Sequence, residues 1–212
     1  MLCIRTIGVS EIIVGTRAIG PDRRASFALL LLTALRAPRF VPRAELATLL
    51  WHDVSSAVRN HRMRSLLHRT RQAGASLECT DSAVRLAETP TIDFRELSTP
   101  PRSLDEVRRL VSEIGPALPG LETFAGTPLE CRLDDERDRI TGTLVRWVCA
   151  ALRLAKSSGD WLLVEDVARA GRRVDRFSED AWASLAEAQR LTTSEALARR
   201  TLEAYQTTID DD

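Results

Sequence analysis

Lysine is nearly absent from this 212-residue chain: Lys156 stands alone among arginines. Such a bias is expected of a GC-rich genome, and arginine also suits bidentate contacts to phosphate and guanine. Long apolar runs are missing too. The longest, Phe27 to Leu35, is broken by Thr33 and falls far short of a bilayer span. The start, Met1-Leu2-Cys3-Ile4-Arg5, lacks the basic, apolar and small-residue regions of a secretory leader. A cytoplasmic location with no membrane partner is the expectation.

The four cysteines (Cys3, Cys79, Cys131, Cys149) are scattered, with no Cys-x-x-Cys pair and no histidine at metal-ligand spacing. They read as reduced, mostly packed thiols, and the spacing excludes structural zinc. No metal and no cofactor is expected. A Gly-rich phosphate loop, a nucleophile elbow and a His-Glu-x-x-His helix are all absent, so nothing favours an enzyme. The acidic run Asp134-Asp135-Glu136-Arg137-Asp138 alternates with arginine and reads as surface pairing on a helix. Trp147, Trp161 and Trp182 lie among helical apolar residues and read as core.

What is present is an asymmetry of charge. Residues 1–75 hold 12 Arg against four acids (Glu11, Asp22, Glu45, Asp53), whereas residues 76–212 hold 18 basic and 26 acidic side chains. A basic front joined to an acidic rear points the front toward a polyanion.

The first twenty residues alternate apolar and polar side chains about Gly8 to Ser10, which predicts a short antiparallel hairpin. Three helical patterns follow. Arg24 to Arg36 carries Phe27, Leu30, Leu31 and Leu35 at helical spacing. Arg43 to Trp51 places Leu46, Leu49 and Leu50 on one side, with Pro42 in its first turn. The third helix starts at Ser55 or Ser56, both good N-caps, and stops near Gly74. The period then returns to two: residues 76–80 and 83–87 flank Asp81-Ser82 as a hairpin. Sheet, three helices and hairpin is the order of a winged helix-turn-helix with an N-terminal β-sheet, an α+β domain over residues 1–97. A Pro-rich linker, 98–102, leads to an all-α region, 103–212. Its patterns run Leu104 to Ile114, Leu129 to Lys156, Trp161 to Val174, Glu179 to Leu191 and Glu195 to Thr207. Helices of this length with short connections form hairpins, as in tetratricopeptide-like arrays.

The third helix carries the chemistry. At 100° per residue, Met63, Leu66, Leu67 and Thr70 share one stripe. The opposite side gathers His61, Ser65, His68 and Gln72, flanked by Arg62, Arg64, Arg69 and Arg71. No acid occurs between Asp53 and Glu78, and all three histidines lie between 52 and 68. Arginine pairs bidentately with guanine, and serine or histidine meets base edges or phosphate. The expected DNA-binding set is therefore Arg64, Ser65, His68 and Arg69 toward bases, with His61 on the same face. Arg59, Arg62 and Arg71 go to phosphate, and Arg85 of the second hairpin strand to the minor groove.

Two segments, Glu45-Leu46-Ala47-Thr48-Leu49-Leu50-Trp51 and Met63-Arg64-Ser65-Leu66-Leu67-His68-Arg69-Thr70-Arg71, resemble the Streptomyces antibiotic regulatory protein family. Its pattern is roughly E-L-x-x-x-L-W followed by L-R-x-x-L-x-R-L-R. Thr91-Ile92-Asp93-Phe94-Arg95-Glu96-Leu97 resembles the valine-aspartate segment that leaves the wing there. Gly115-Pro116-Ala117-Leu118-Pro119-Gly120 is similar to the G-P-x-L-P-G turn of the family's bacterial transcriptional activator domain. The resemblance covers nearly the whole chain. It implies an OmpR/PhoB-type winged helix that binds direct repeats in double-stranded DNA as side-by-side protomers, a homodimer on DNA. It also implies activation by contact with RNA polymerase through the loop between the second and third helices, here His52, Asp53, Val54 and Ser55. Thr70 stands where the family usually has a buried leucine, and Arg176 where a proline usually follows aspartate. Members often continue into further helices or sensor modules, so a fragment of a longer protein is one expectation. The rival reading is a protein-interaction adaptor whose winged helix no longer binds DNA, with the helical region as its docking surface.

Overall fold

The computed structural model describes residues 2–211. They pack as two units that do not follow chain order. The first holds the residues up to Asp93 together with Leu118–Arg137; the second holds Phe94–Ala117 and the residues from Asp138 onward. The sequence reading assigned all of 103–212 to one helical region. The difference arises because 118–137 carries apolar side chains that complete the first core.

That core begins in a four-stranded sheet of order β3-β2-β1-β7. Strands β1 (Leu2–Arg5) and β2 (Glu11–Val14) form the expected hairpin, with Leu2 opposite Val14 and Ile4 opposite Ile12. These four side chains are buried, as alternation on a half-buried sheet requires. Two strands of this sheet were not foreseen. Strand β3 (Arg17–Ile19) extends the hairpin, and β7 (Thr91–Ile92) joins β1 in parallel. Asp93 secures that edge by accepting from the Thr6 backbone N–H (2.7 Å), the Thr6 hydroxyl (2.6 Å) and the Ile7 N–H (3.0 Å).

After a 3-10 turn (Pro21–Arg23), helix α1 (Arg24–Leu35) is buried from Phe27 to Ala34 without a break. A helix apolar on every side belongs at the centre of a core. Its one polar member, Thr33, is satisfied by the Leu29 carbonyl at 2.7 Å. Pro42 does not open the second helix as expected. It ends β4 (Val41–Pro42), which pairs with the hairpin strand β6. Helix α2 (Arg43–Leu50) follows, and Arg36 reaches across to its Glu45 at 2.7 Å. That hydrogen bond raises the Arg36 pKa further above its ordinary value, against the lowering effect of burial. Helix α3 (Ser56–Gln72) lies on α1 and α2. Then β5 (Leu77–Cys79) and β6 (Ala83–Leu86) form the expected hairpin, giving a second sheet of order β4-β6-β5.

The returning segment closes this unit. Leu118, fully buried, adopts φ 44°, a left-handed conformation a branched residue accepts only under constraint. Its N–H donates to Thr6 O at 2.7 Å, and the Ser10 hydroxyl donates to Pro119 O at 2.6 Å. Gly120 (φ 77°) then turns the chain into a 3-10 segment, Leu121–Phe124, whose Phe124 ring stacks on Phe27 with centroids 6.3 Å apart.

The second unit is helical. The short α4 (Asp93–Glu96) leads into it, and α5 (Leu104–Leu110) is capped by the Ser103 hydroxyl on the Glu106 N–H. The long α6 (Pro128–Ser158) contributes its residues from Asp138. Helices α7 (Trp161–Val174), α8 (Glu179–Thr192) and α9 (Glu195–Asp210) follow, each opened by a side-chain cap: Asp160, Ser178 and Ser194. Connections this short bring each helix back along its predecessor. Gly171 permits the closest approach: a Cβ there would meet Val148 Cγ1 at 2.9 Å and Ala181 Cβ at 3.1 Å. Trp147 and Trp182 are buried as expected, while Trp161 is half-buried.

Candidate nucleic-acid interface

Helix α3 is anchored by Met63, Leu66, Leu67 and Thr70, all buried. Holding that stripe against the core turns the other face outward. His61, Arg62, Arg64, Ser65, His68, Arg69 and Gln72 are exposed, with Asn60 beside them, while Arg59 is half-buried. Among the described residues, Arg59, Arg62, Arg64 and Arg69 make no ion pair. The absence of acids from 54 to 77 is the reason on the helix itself. Such a face carries mobile, hydrated cations already free of intramolecular partners, so little must be broken before it meets an anion.

The ends of α3 differ from each other. Ser55 occupies the N-cap position in extended conformation, yet its side chain makes no capping bond, contrary to expectation. At the other end Gly74 takes φ 96° and stops the helix, as its sequence position implies. Arg71, although exposed, is engaged: its guanidinium donates to the Leu77 carbonyl at 3.1 Å and ties the helix end to β5. Arg85 is also engaged. It pairs with Glu78 at 2.6 Å and lies 4.5 Å over the Phe40 ring. The two residues are thus held by the fold in a way that spacing along the chain does not disclose.

The α2–α3 connection is short. Trp51 ends α2 half-buried, His52, Asp53 and Ser55 are exposed, and Val54 is half-buried. Beside it lies a groove of about 320 Å³ bordered by Leu50, Trp51, His52, Arg62, Phe124 and Leu129. Sequence reasoning missed a further convergence: Arg17 and Arg23, distant in sequence, line a cavity with Arg69 at the end of α3.

The remaining chemistry is spare. No group of three or more His, Cys, Asp or Glu side chains among the described residues is placed to hold a metal. Cys3, Cys79 and Cys149 are half-buried and Cys131 is exposed, so the thiols are less packed than expected. Burial, together with nearby Asp180, raises the Cys149 pKa and disfavours its thiolate. The acidic run of α6 pairs within the helix, Arg132 with Glu136 at 2.6 Å and Arg137 with Asp134. No described helix is long and apolar enough to cross a membrane.

Among solved structures, the chain is similar to Mycobacterium tuberculosis EmbR, solved in complex with a low-affinity phosphopeptide. The match has a TM-score of 0.64 at 18% identity and covers 100% of this chain and 60% of EmbR. At that identity the likeness is one of fold: a small N-terminal sheet followed by a helical region, spanning less than two thirds of the neighbour's length. No family model matches the chain, and no curated protein matches it in sequence.

Proposed function

We propose that the chain is a DNA-binding transcription regulator whose residues 1–97 act as a winged helix and whose helices beyond 103 serve protomer contacts or signal input. The observation that carries this reading is the exposed face of α3 from Arg59 to Gln72: basic and polar side chains only, with Arg59, Arg62, Arg64 and Arg69 free of ion pairs among the described residues. A helix of that kind fits the major groove, with Arg64, Ser65, His68 and Arg69 at base edges, His61 on the same face, and Arg59 and Arg62 toward backbone. The β5–β6 hairpin serves as the wing. Arg71 and Arg85 reach DNA by exchanging their present partners. Shared architecture with EmbR supports the order of the parts, and the resemblance of α2 and α3 to the Streptomyces antibiotic regulatory pattern supports the role.

In this reading the His52–Ser55 loop, exposed beside its groove, is the contact for RNA polymerase, and two protomers bind a direct repeat side by side. The tetratricopeptide-like region then holds protomer or partner contacts.

The test is selection of duplex DNA from a random pool by the full chain, repeated across a salt series. An enriched direct repeat whose binding weakens steeply with salt is expected. Losing two bidentate guanine contacts costs about 2–6 kcal/mol, so Arg64→Ala with Arg69→Ala weakens binding by roughly thirtyfold or more. A double variant that binds like the parent removes the assignment of α3. Sequence-blind binding would favour the adaptor reading, in which the helical region carries the function. Exposed Leu162, Leu191 and Leu202 are the observation on that side.

A further inference from the structure

Near the C-terminal end of α3 lies a cavity of about 470 Å³, within the range of small-molecule pockets. Three parts of the chain build it: β3 through Arg17, the 3-10 turn and the first turn of α1 through Arg23 and Ser26, and α3 through Arg69 and Thr70. No carboxylate lines it. The nearest acid in sequence, Asp22, sets its Oδ1 against Gly20, 2.9 Å from where a Cβ would stand. Arg17, Arg23 and Arg69 have no ion-pair partner among the described residues.

A second observation concerns Thr70. It is 1% exposed, and its Oγ1 is buried without a hydrogen-bond partner. A helical threonine commonly satisfies itself on the carbonyl one turn back, as Thr33 does here at 2.7 Å. Thr70 does not, and it borders the cavity. A buried hydroxyl left unmatched is disfavoured unless a partner reaches it. The third observation is the start of α1. This helix of 12 residues has neither a side-chain cap nor an acid in its first turn. Its N-terminal dipole end, at Ala25 and Ser26, is therefore open to negative charge. The C-terminal end of α3 opposes this with its carbonyls, and Arg69 offsets that locally.

We propose that this cavity is an anion site that takes a phosphate group, clamped by Arg17, Arg23 and Arg69 and hydrogen-bonded by the hydroxyls of Thr70 and Ser26. The phosphate comes either from the DNA backbone or from a free phosphorylated small molecule. The first source rests on α3 being the DNA-facing helix; the second does not. Because Arg69 belongs to both surfaces, a free ligand competes with DNA for it.

The experiment uses the full chain, labelled for amide NMR and titrated with inorganic pyrophosphate, alongside Arg17→Gln with Arg23→Gln and, separately, Thr70→Val. The first two residues are exposed, so their replacement leaves the core intact. For a free ligand, saturable shifts appear at the amides of Ser26 and Thr70, and both variants weaken binding, the arginine pair by about tenfold or more. For a backbone phosphate, pyrophosphate gives no saturable shift. Instead the arginine pair lowers the slope of log affinity for DNA against log salt by about one, the loss of one phosphate contact. Pyrophosphate shifts unchanged in both variants, or no shift and an unchanged salt slope, overturn the proposal. The arginine test on Arg64 and Arg69 fails separately, since the pyrophosphate titration needs no DNA.

Discussion

Cutting the chain at the Pro-rich linker should leave an N-terminal piece that cannot fold. A fragment of residues 1–102 keeps both small sheets and α1 to α3 but loses the returning segment. From that segment the core takes Leu118, Leu121, Phe124, Leu129 and Leu133, each 5% exposed or less. Burying one such side chain is worth about 1.5–3 kcal/mol, so the five together contribute roughly 8–15 kcal/mol. Extended-chain references overstate burial, which favours the lower figure. Even that matches the whole stability of an ordinary domain, about 5–15 kcal/mol. The fragment also leaves Thr6 O and the Ser10 hydroxyl without the bonds they make to Leu118 and Pro119. Thermal melts followed by circular dichroism, with Trp51 fluorescence as a second probe, should show no cooperative transition for 1–102. In the full chain, Phe124→Ala should cost about 3–5 kcal/mol. A fragment that melts cooperatively at the temperature of the full chain would refute the reasoning and return the boundary to residues 98–102.

Three other outcomes are expected. Asp93→Ala removes the acceptor of three hydrogen bonds and strands the buried Thr6 N–H, so chemical denaturation should report a loss of about 3 kcal/mol. Gly171→Ala drives a methyl against Val148 and Ala181 between helices and should lower stability by about 1–3 kcal/mol, measured as a reduced Tm. Asp160 caps α7 through the Leu163 N–H and pairs with Arg108, and these bonds hold its pKa below the ordinary 3.8. Its contribution is present above that ordinary value and is lost as pH falls through the depressed one. The Tm gap between the parent and Asp160→Asn should therefore be constant at neutral pH and close only in strong acid.

The helices were legible because their cause is local. Apolar residues recur at helical spacing through α1 to α3 and α6 to α9, and Gly74 marks an end by backbone chemistry alone. The exposed face of α3 was legible for the same reason: once Met63, Leu66 and Leu67 point inward, the arginines opposite must point out. Strands β3, β4 and β7 were not, since two or three residues are too few to display a period of two. The ties of Arg71 to Leu77 and of Arg85 to Phe40, and the meeting of Arg17 with Arg69, depend on elements that touch only after folding. Burial of α1 on every side was also hidden, because spacing records a stripe and says little about what covers the remainder.

The returning segment also sets a schedule for synthesis. Strand β1 is made before its parallel partner β7, which follows some ninety residues later, and Leu118 and Phe124 come later still. At roughly 5–20 residues per second, a ribosome needs about 5–20 s to pass from the end of α1 to the end of that segment. Throughout this interval the apolar surface of α1 has no lid, although α2 and α3 are already available to cover part of it. The nascent chain therefore passes through a sticky half-built state whose lifetime is governed by translation speed. Slow codons before residue 137 would prolong it, and chaperones that hold apolar helices would meet this protein there.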